Sequence, residues 1–162
     1  GIAVGKFDGL SVLQGRYPAT PQGDRFCSMR RSARAANVLS QRLKDLVPGK
    51  LYSLKTITAD LDDLLAGKSE KKTHAVSIRI ANADPIEAKC FQAPFFNRHS
   101  AAIKPFSPKP PFWLNLHVRV FRARANTATL TISDWPNEKK PTGAIGQRIA
   151  CNFIELQPHL ED

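Results

Sequence analysis

In the stretch WLNLHVRVFRA, Asn115, His117, Arg119 and Phe121 fall on alternate positions, and so on one side of an extended chain. An amide, an imidazole and a guanidinium beside an aromatic ring are suited to holding a sugar. The planar polar groups meet hydroxyls in pairs, and the ring stacks on the apolar face of the saccharide. Arg79 and Gln41, in neighbouring strand-like runs, are placed to join that face. A second gathering place is the charged loop after TLTISDW, where Trp135, Tyr17 and Arg16 are expected near Asp134 and Asn137. Trp135 precedes Pro136 there, a setting that presents a ring to solvent, whereas Trp113 opens a strand and is expected to plug one end of the core. The plainer reading of the two places is a wet sheet face and a tryptophan covering the core rim.

Catalytic chemistry needs a constellation, and the chain shows no nucleophile elbow, zinc-binding helix, Walker loop or dinucleotide turn. The four histidines, His74, His99, His117 and His159, lie scattered without metal-ligand spacing. Asp60, Asp62 and Asp63, interleaved with Leu61, Leu64 and Leu65, read as a capping turn rather than an acid–base pair. A non-catalytic protein without a cofactor is the expectation. Three cysteines, Cys27, Cys90 and Cys151, allow at most one bridge. Their apolar settings suggest buried free thiols, with a Cys27–Cys151 or similar pair as the alternative.

Net charge is +10 over 162 residues, which favours an anionic partner: nucleic acid or an acidic polysaccharide. Basic residues are spread as Arg30-Arg31 with Arg34, Lys68 with Lys71-Lys72, Arg119 with Arg122 and Arg124, and Lys139-Lys140, with no long block. A nucleic-acid site needs basic residues interleaved with stacking rings, and only VRVFRARAN offers that. No segment approaches the roughly 18 consecutive apolar residues that span a bilayer, so no membrane partner is expected. The opening GIAVGKFDGL lacks the pattern of a signal peptide.

Twelve prolines and nine glycines punctuate the chain too closely for long helices, and the pattern between them is all-β. Strands are expected over Arg25–Ser32, over Asn37–Leu43, and after the Pro48-Gly49 turn, whose residues suit a type II geometry. THAVSIRIANA alternates with Val76, Ile78 and Ile80 on one side. AKCFQAPFF is a strand that Pro94 should stop, and residues 97 to 111, with four prolines, should be irregular. WLNLHVRVFRA should turn Leu114, Leu116, Val118 and Val120 inward, and form a hairpin with NTATLTISDW. The run Gln147–Gln157 changes phase at Phe153-Ile154, which suggests a bulge. One helical turn is expected in ADLDDLLAGKSEKK, capped by Asp60 or Asp62 and ended by Gly67. About eight strands in a single domain, 1–162, favour two packed antiparallel sheets.

A run ending in Gln41, then LVPGKLYSLK, then LHVRVFRARANTATLTISDW, and a closing GQRIACNFIELQP together resemble the galactose-binding-domain-like β-sandwich. This is the jelly roll of carbohydrate-binding modules grouped with families 4, 9 and 22. The resemblance covers residues 25 to 158 and rests on structural motifs. It implies a non-catalytic carbohydrate-binding or docking module of a larger secreted or periplasmic protein. Such modules hold a structural calcium ion through acidic groups near the two ends; here Asp8 and Glu155 remain as oxygen donors, and Asn152 stands where an acid would.

Overall fold

A computed structural model describes residues 1–6, 23–97 and 112–161. Tyr17, Arg16, Asp8, His99 and nearly all of the proline-rich connection lie outside the described residues. Within them are ten strands: β1 (Ile2–Lys6), β2 (Arg25–Arg30), β3 (Val38–Leu43), β4 (Leu51–Asp60), β5 (Ser77–Ala81), β6 (Ala83–Pro85), β7 (Phe91–Asn97), β8 (Phe112–Ala123), β9 (Ala128–Ser133) and β10 (Arg148–Pro158). One short helix, α1 (Leu61–Ala66), and a 3-10 turn at Glu87–Lys89 complete the set.

The strands form two antiparallel sheets, a larger one in the order β1-β2-β10-β4-β8-β6, with β7 also on β8, and a smaller one in the order β3-β9-β5. From β2 to β5, and again from β8 to β10, the chain changes sheet at every step, which is the winding of a jelly roll. The expected hairpin between WLNLHVRVFRA and NTATLTISDW is therefore corrected: β8 pairs with β4, β6 and β7, while β9 pairs with β3 and β5. Arg124–Thr127 carries the chain across the sandwich as an arch. Pro94 does not stop its strand. It sits opposite Asn115 in β7, which among the described residues pairs only with β8, and a sheet edge tolerates a residue that cannot donate.

Local signals in β4, α1 and β10 act as expected. Asp60 caps α1, its Oδ1 accepting from Asp63 N at 3.1 Å, and Gly67 ends the helix at φ 68°. In β10 the register shifts between Asn152 and Glu155, with Phe153 at φ 60°, so the adjacent apolar pair marks a bulge.

Two apolar clusters result. Between the sheets, Tyr52, Leu54 and Phe121 pack against Leu43, Ile78, Leu130 and Ile132, with Tyr52 and Phe121 stacked at 5.8 Å. On the opposite face of the large sheet, Ile57, Ala59, Leu114 and Ala150 pack with Phe26 and with Leu61 and Leu64 of α1. The large sheet is thus greasy on both sides, and each fully buried aliphatic or aromatic side chain adds about 1.5–3 kcal/mol.

That arrangement reverses the expected orientation of β8. Phe121 and His117 pair in register with Tyr52 and Thr56, so Asn115, His117, Arg119 and Phe121 face the small sheet. Leu114, Val118 and Val120 take the other side and are also buried. The expected wet face lies inside the sandwich because its polar groups find partners there: Asn115 with His74 N, Gln92 and Lys72 O, His117 with Thr58, and Arg119 with backbone carbonyls.

Candidate functional site

At one flank the edge strands β5 and β7 stand apart, and between them opens a cleft of about 530 Å³. Ile78, Ile80 and Phe121 form its apolar floor, Arg119 its basic group, Arg79 borders it from β5, and Glu87 and Phe91 lie at its lip. Arg119 ties the two sheets together across the cleft: Nε donates to Ile78 O at 3.1 Å, and Nη1 donates to Phe91 O at 3.1 Å and Val118 O at 2.9 Å. Its Nη2 has no bond among the described residues. Arg79 pairs with Thr131 on the outer face of the small sheet and contacts Glu138 at 2.5 Å, both side chains being largely exposed. An exposed pair of this kind contributes little to stability, so Glu138 is readily exchanged for another anion.

The opposite flank opens between β3 and the β2–β10 pair, as a cavity of about 390 Å³ lined by Leu39, Gln41, Ile132, Cys27, Cys151 and Phe153 among others. Gln41 is exposed there, well away from Arg79 and Arg119.

Between the flanks runs a buried polar seam. Thr58 Oγ1 lies 2.8 Å from His74 Nδ1 and 2.7 Å from His117 Nε2; with one hydrogen to give, it donates to one ring and accepts from the other. Asn115 Oδ1 accepts from His74 N at 2.9 Å and Gln92 Nε2 at 2.8 Å, while its Nδ2 donates to Lys72 O at 2.8 Å. Lys72 Nζ reaches Asp60 at 2.9 Å and Asp63 at 2.5 Å, and Gln147 Nε2 donates to Asp60 at 2.7 Å. Gln147 in turn accepts from Arg31, whose Nε also donates to Asp134 O at 2.8 Å and whose Nη1 donates to Ala144 O at 3.1 Å. His117 Nδ1 has no partner among the described residues.

Electrostatics follow burial. Desolvation holds His74 down to about 4, with the Asp60 charge opposing, and holds His117 down to about 3, helped by Arg119 and His74. Both rings are neutral at pH 7. Burial alone would raise the Asp60 carboxyl, but hydrogen bonds from Lys72, Gln147 and the Asp63 amide hold it below the usual carboxylate range.

The structure thus separates the candidate residues. Arg119 reaches the cleft, and Arg79 borders it from β5 with its side chain turned to Glu138. Asn115 and His117 belong to the seam, at 1% and 0% exposure, and no ligand reaches them without opening the sandwich. Gln41 belongs to the other flank. Trp135, expected to face solvent, is 8% exposed and donates from Nε1 to Ser32 O at 3.0 Å. Its neighbour Asp134 is spent on Asn37, accepting from the backbone N at 2.8 Å and Nδ2 at 2.6 Å. Trp113 is the more accessible tryptophan, half-buried against Phe96 at 5.2 Å with Lys71 Nζ 5.8 Å over its ring.

The basic stripe VRVFRARAN does not assemble either: Phe121 is core, Arg122 Nη1 donates to Gly49 O at 2.6 Å, and Arg124 pairs with Asp84 at 2.5 Å. At the position resembling a calcium ligand, Asn152 Nδ2 donates to Gly23 O at 2.9 Å and to Arg25 O. Asn152 Oδ1 is buried there without a partner among the described residues.

No protein-family model matches the chain, and no curated protein or solved structure shows a significant match to it. The function must therefore be argued from the cleft and the seam. The groups missed by sequence reading are Arg31, Gln92 and Gln147, each read as part of a surface or strand. Their spacing carries no sign of burial, because their partners come from distant segments.

Proposed function

We propose that this chain is a non-catalytic carbohydrate-binding sandwich of the galactose-binding-like kind, and that it takes an anionic oligosaccharide in the cleft between β5 and β7. The observation that supports this best is Arg119 at that cleft, bordered from β5 by Arg79, whose guanidinium meets only an exposed carboxylate among the described residues. Arg119 is held by three carbonyls, and its Nη2 has no bond among the described residues, so it is set in place before a ligand arrives, and preorganised guanidinium suits carboxylate or sulfate groups. Apolar floor and rim residues supply the surface on which a sugar ring lies. The net charge of +10 speeds the approach of such a ligand. Secretion as part of a larger protein follows from the same reading.

The test is a panel of neutral, carboxylated and sulfated oligosaccharides, read by calorimetry at two salt concentrations. Binding of an anionic member, weakened about tenfold by Arg79→Ala and weakened by added salt, is the expected result. Absence of glycan binding, or binding that ignores both Arg79→Ala and Arg119→Lys, removes this cleft as the site.

A further inference from the structure

Cys27 of β2 and Cys151 of β10 are direct register partners in the antiparallel ladder. Partners of this kind point to the same face of the sheet, with Cα atoms roughly 4.5–5.5 Å apart, inside the range that a disulfide spans. Both side chains line the open cavity on the Gln41 flank. Cys27 is partly exposed there, whereas Cys151 is buried. Cys90 is on the other flank, its sulfur near Ile86 O at 3.4 Å and Val120 O at 3.5 Å. Three thiols therefore divide into one facing pair and one separate group.

We propose that Cys27 and Cys151 form a reversible cross-strand disulfide, made by exchange with small disulfides of the oxidised-glutathione class that enter through this flank. Cys27 thiolate attacks one sulfur of the small disulfide, forming a mixed disulfide and releasing one small thiolate. Cys151 then loses its proton to solvent and attacks the Cys27 sulfur, releasing the second small thiol. Two protein thiols are oxidised and one disulfide is reduced to two thiols, so electrons and protons balance.

The two sulfurs have distinct tasks. Cys27 meets the oxidant because it is accessible. Cys151 is held protonated by burial, its pKa pushed up to about 11, with Thr56 Oγ1 3.3 Å from its sulfur and 3.0 Å from Asn152 O. Resolution of the mixed disulfide by Cys151 is the slow step and quickens with rising pH. Once formed, the bond staples β2 to β10 and closes a loop of most of the chain, which restricts the unfolded state. This inference stands apart from the saccharide reading, since it concerns the opposite flank.

The experiment incubates the full chain with oxidised glutathione, blocks remaining thiols by alkylation and maps the peptides by mass spectrometry. A Cys27–Cys151 crosslink with Cys90 alkylated is expected, together with a melting temperature higher by roughly 5–10 °C that dithiothreitol reverses. Cys90→Ser should keep both the crosslink and the shift, and Cys151→Ser should trap glutathione on Cys27. Three alkylated thiols after oxidation, a persistent glutathione adduct on Cys27 of the unmutated chain, or a crosslink through Cys90 would each overturn the proposal. If Cys151→Ser fails to fold, the peptide maps of the unmutated chain and of Cys90→Ser decide it.

Discussion

Asp60 shows how much one carboxylate does in this molecule. It caps α1, pairs with Lys72 and accepts from Gln147, and is itself 7% exposed. Asp60→Ala should cost about 1–3 kcal/mol in urea unfolding, because it uncaps a helix and removes the acceptor of Gln147 and one of the two carboxylates that face Lys72. Asp62→Ala is the control: its carboxylate meets Arg148 at 2.5 Å but is 45% exposed, and the loss should stay below about 1 kcal/mol. Gly143 makes a second prediction. A Cβ there would sit 2.4 Å from Arg31 Nη1 and 2.8 Å from the Ala75 Cβ, so Gly143→Ala should lower stability by about 1–3 kcal/mol through displacement of the buried guanidinium. A thermal melt identical to that of the unmutated chain would show that Arg31 can move aside.

At the scale of elements, Asn115 connects β8 to the irregular chain before β5, receiving the His74 amide and donating to Lys72 O. Asn115→Ala should release that segment without unfolding the sheets, and the His74 amide should then exchange with deuterium about tenfold faster or more, while β4 and β10 amides keep their protection. The elements also show what the sequence made legible. β2, β3, β4 and β5 lie where alternation and turn residues set them, and Asp60, Gly67 and the Phe153 bulge behave as their local chemistry requires. Those signals are local. The face of β8 was misjudged because alternation reports two faces without saying which is inside, and here both are buried, one by aliphatic contacts and one by hydrogen bonds. The β8–β9 turn misled for a related reason: a short connection suits an arch between sheets as well as a hairpin, and the difference is decided by β4 and β5 claiming the pairing edges. Trp135 covers the core rim, as the plainer reading of its setting has it, but nothing near it in sequence reveals Ser32 O as its partner.

Across the whole molecule, the seam of Arg31, Gln147, Asp60, Lys72, His74, Thr58, His117 and Asn115 lies within the sandwich and links the long loop after β9 to the chain before β5. It makes stability depend on pH. His74 and His117 stay neutral in the fold down to about 4 and 3, while in the unfolded chain they take protons near 6.5. The unfolded state thus binds more protons between those values, and stability falls as pH drops from about 6.5 toward 3, by up to roughly 2.7 kcal/mol per pH unit where both histidines contribute. Below about 3.8 Asp60 adds to the loss, since its lowered carboxyl favours the fold only while ionised. Urea midpoints flat from pH 7 to 4 would mean that these rings gain protons inside the fold. Replacing His117 by Phe should roughly halve the slope between about pH 6.5 and 4 and remove the histidine contribution between 4 and 3.

The cleft between β5 and β7 is where the functional account is most exposed to test. Amide and side-chain shifts of isotopically labelled protein, followed by nuclear magnetic resonance during titration with an anionic oligosaccharide, measure it directly. The account predicts saturable shifts at the Arg79 and Arg119 guanidinium groups and at the Phe91 and Gln92 amides, with Gln41 and Cys27 on the far flank unmoved. Shifts confined to the Gln41 flank, or none at any ligand concentration, would contradict it.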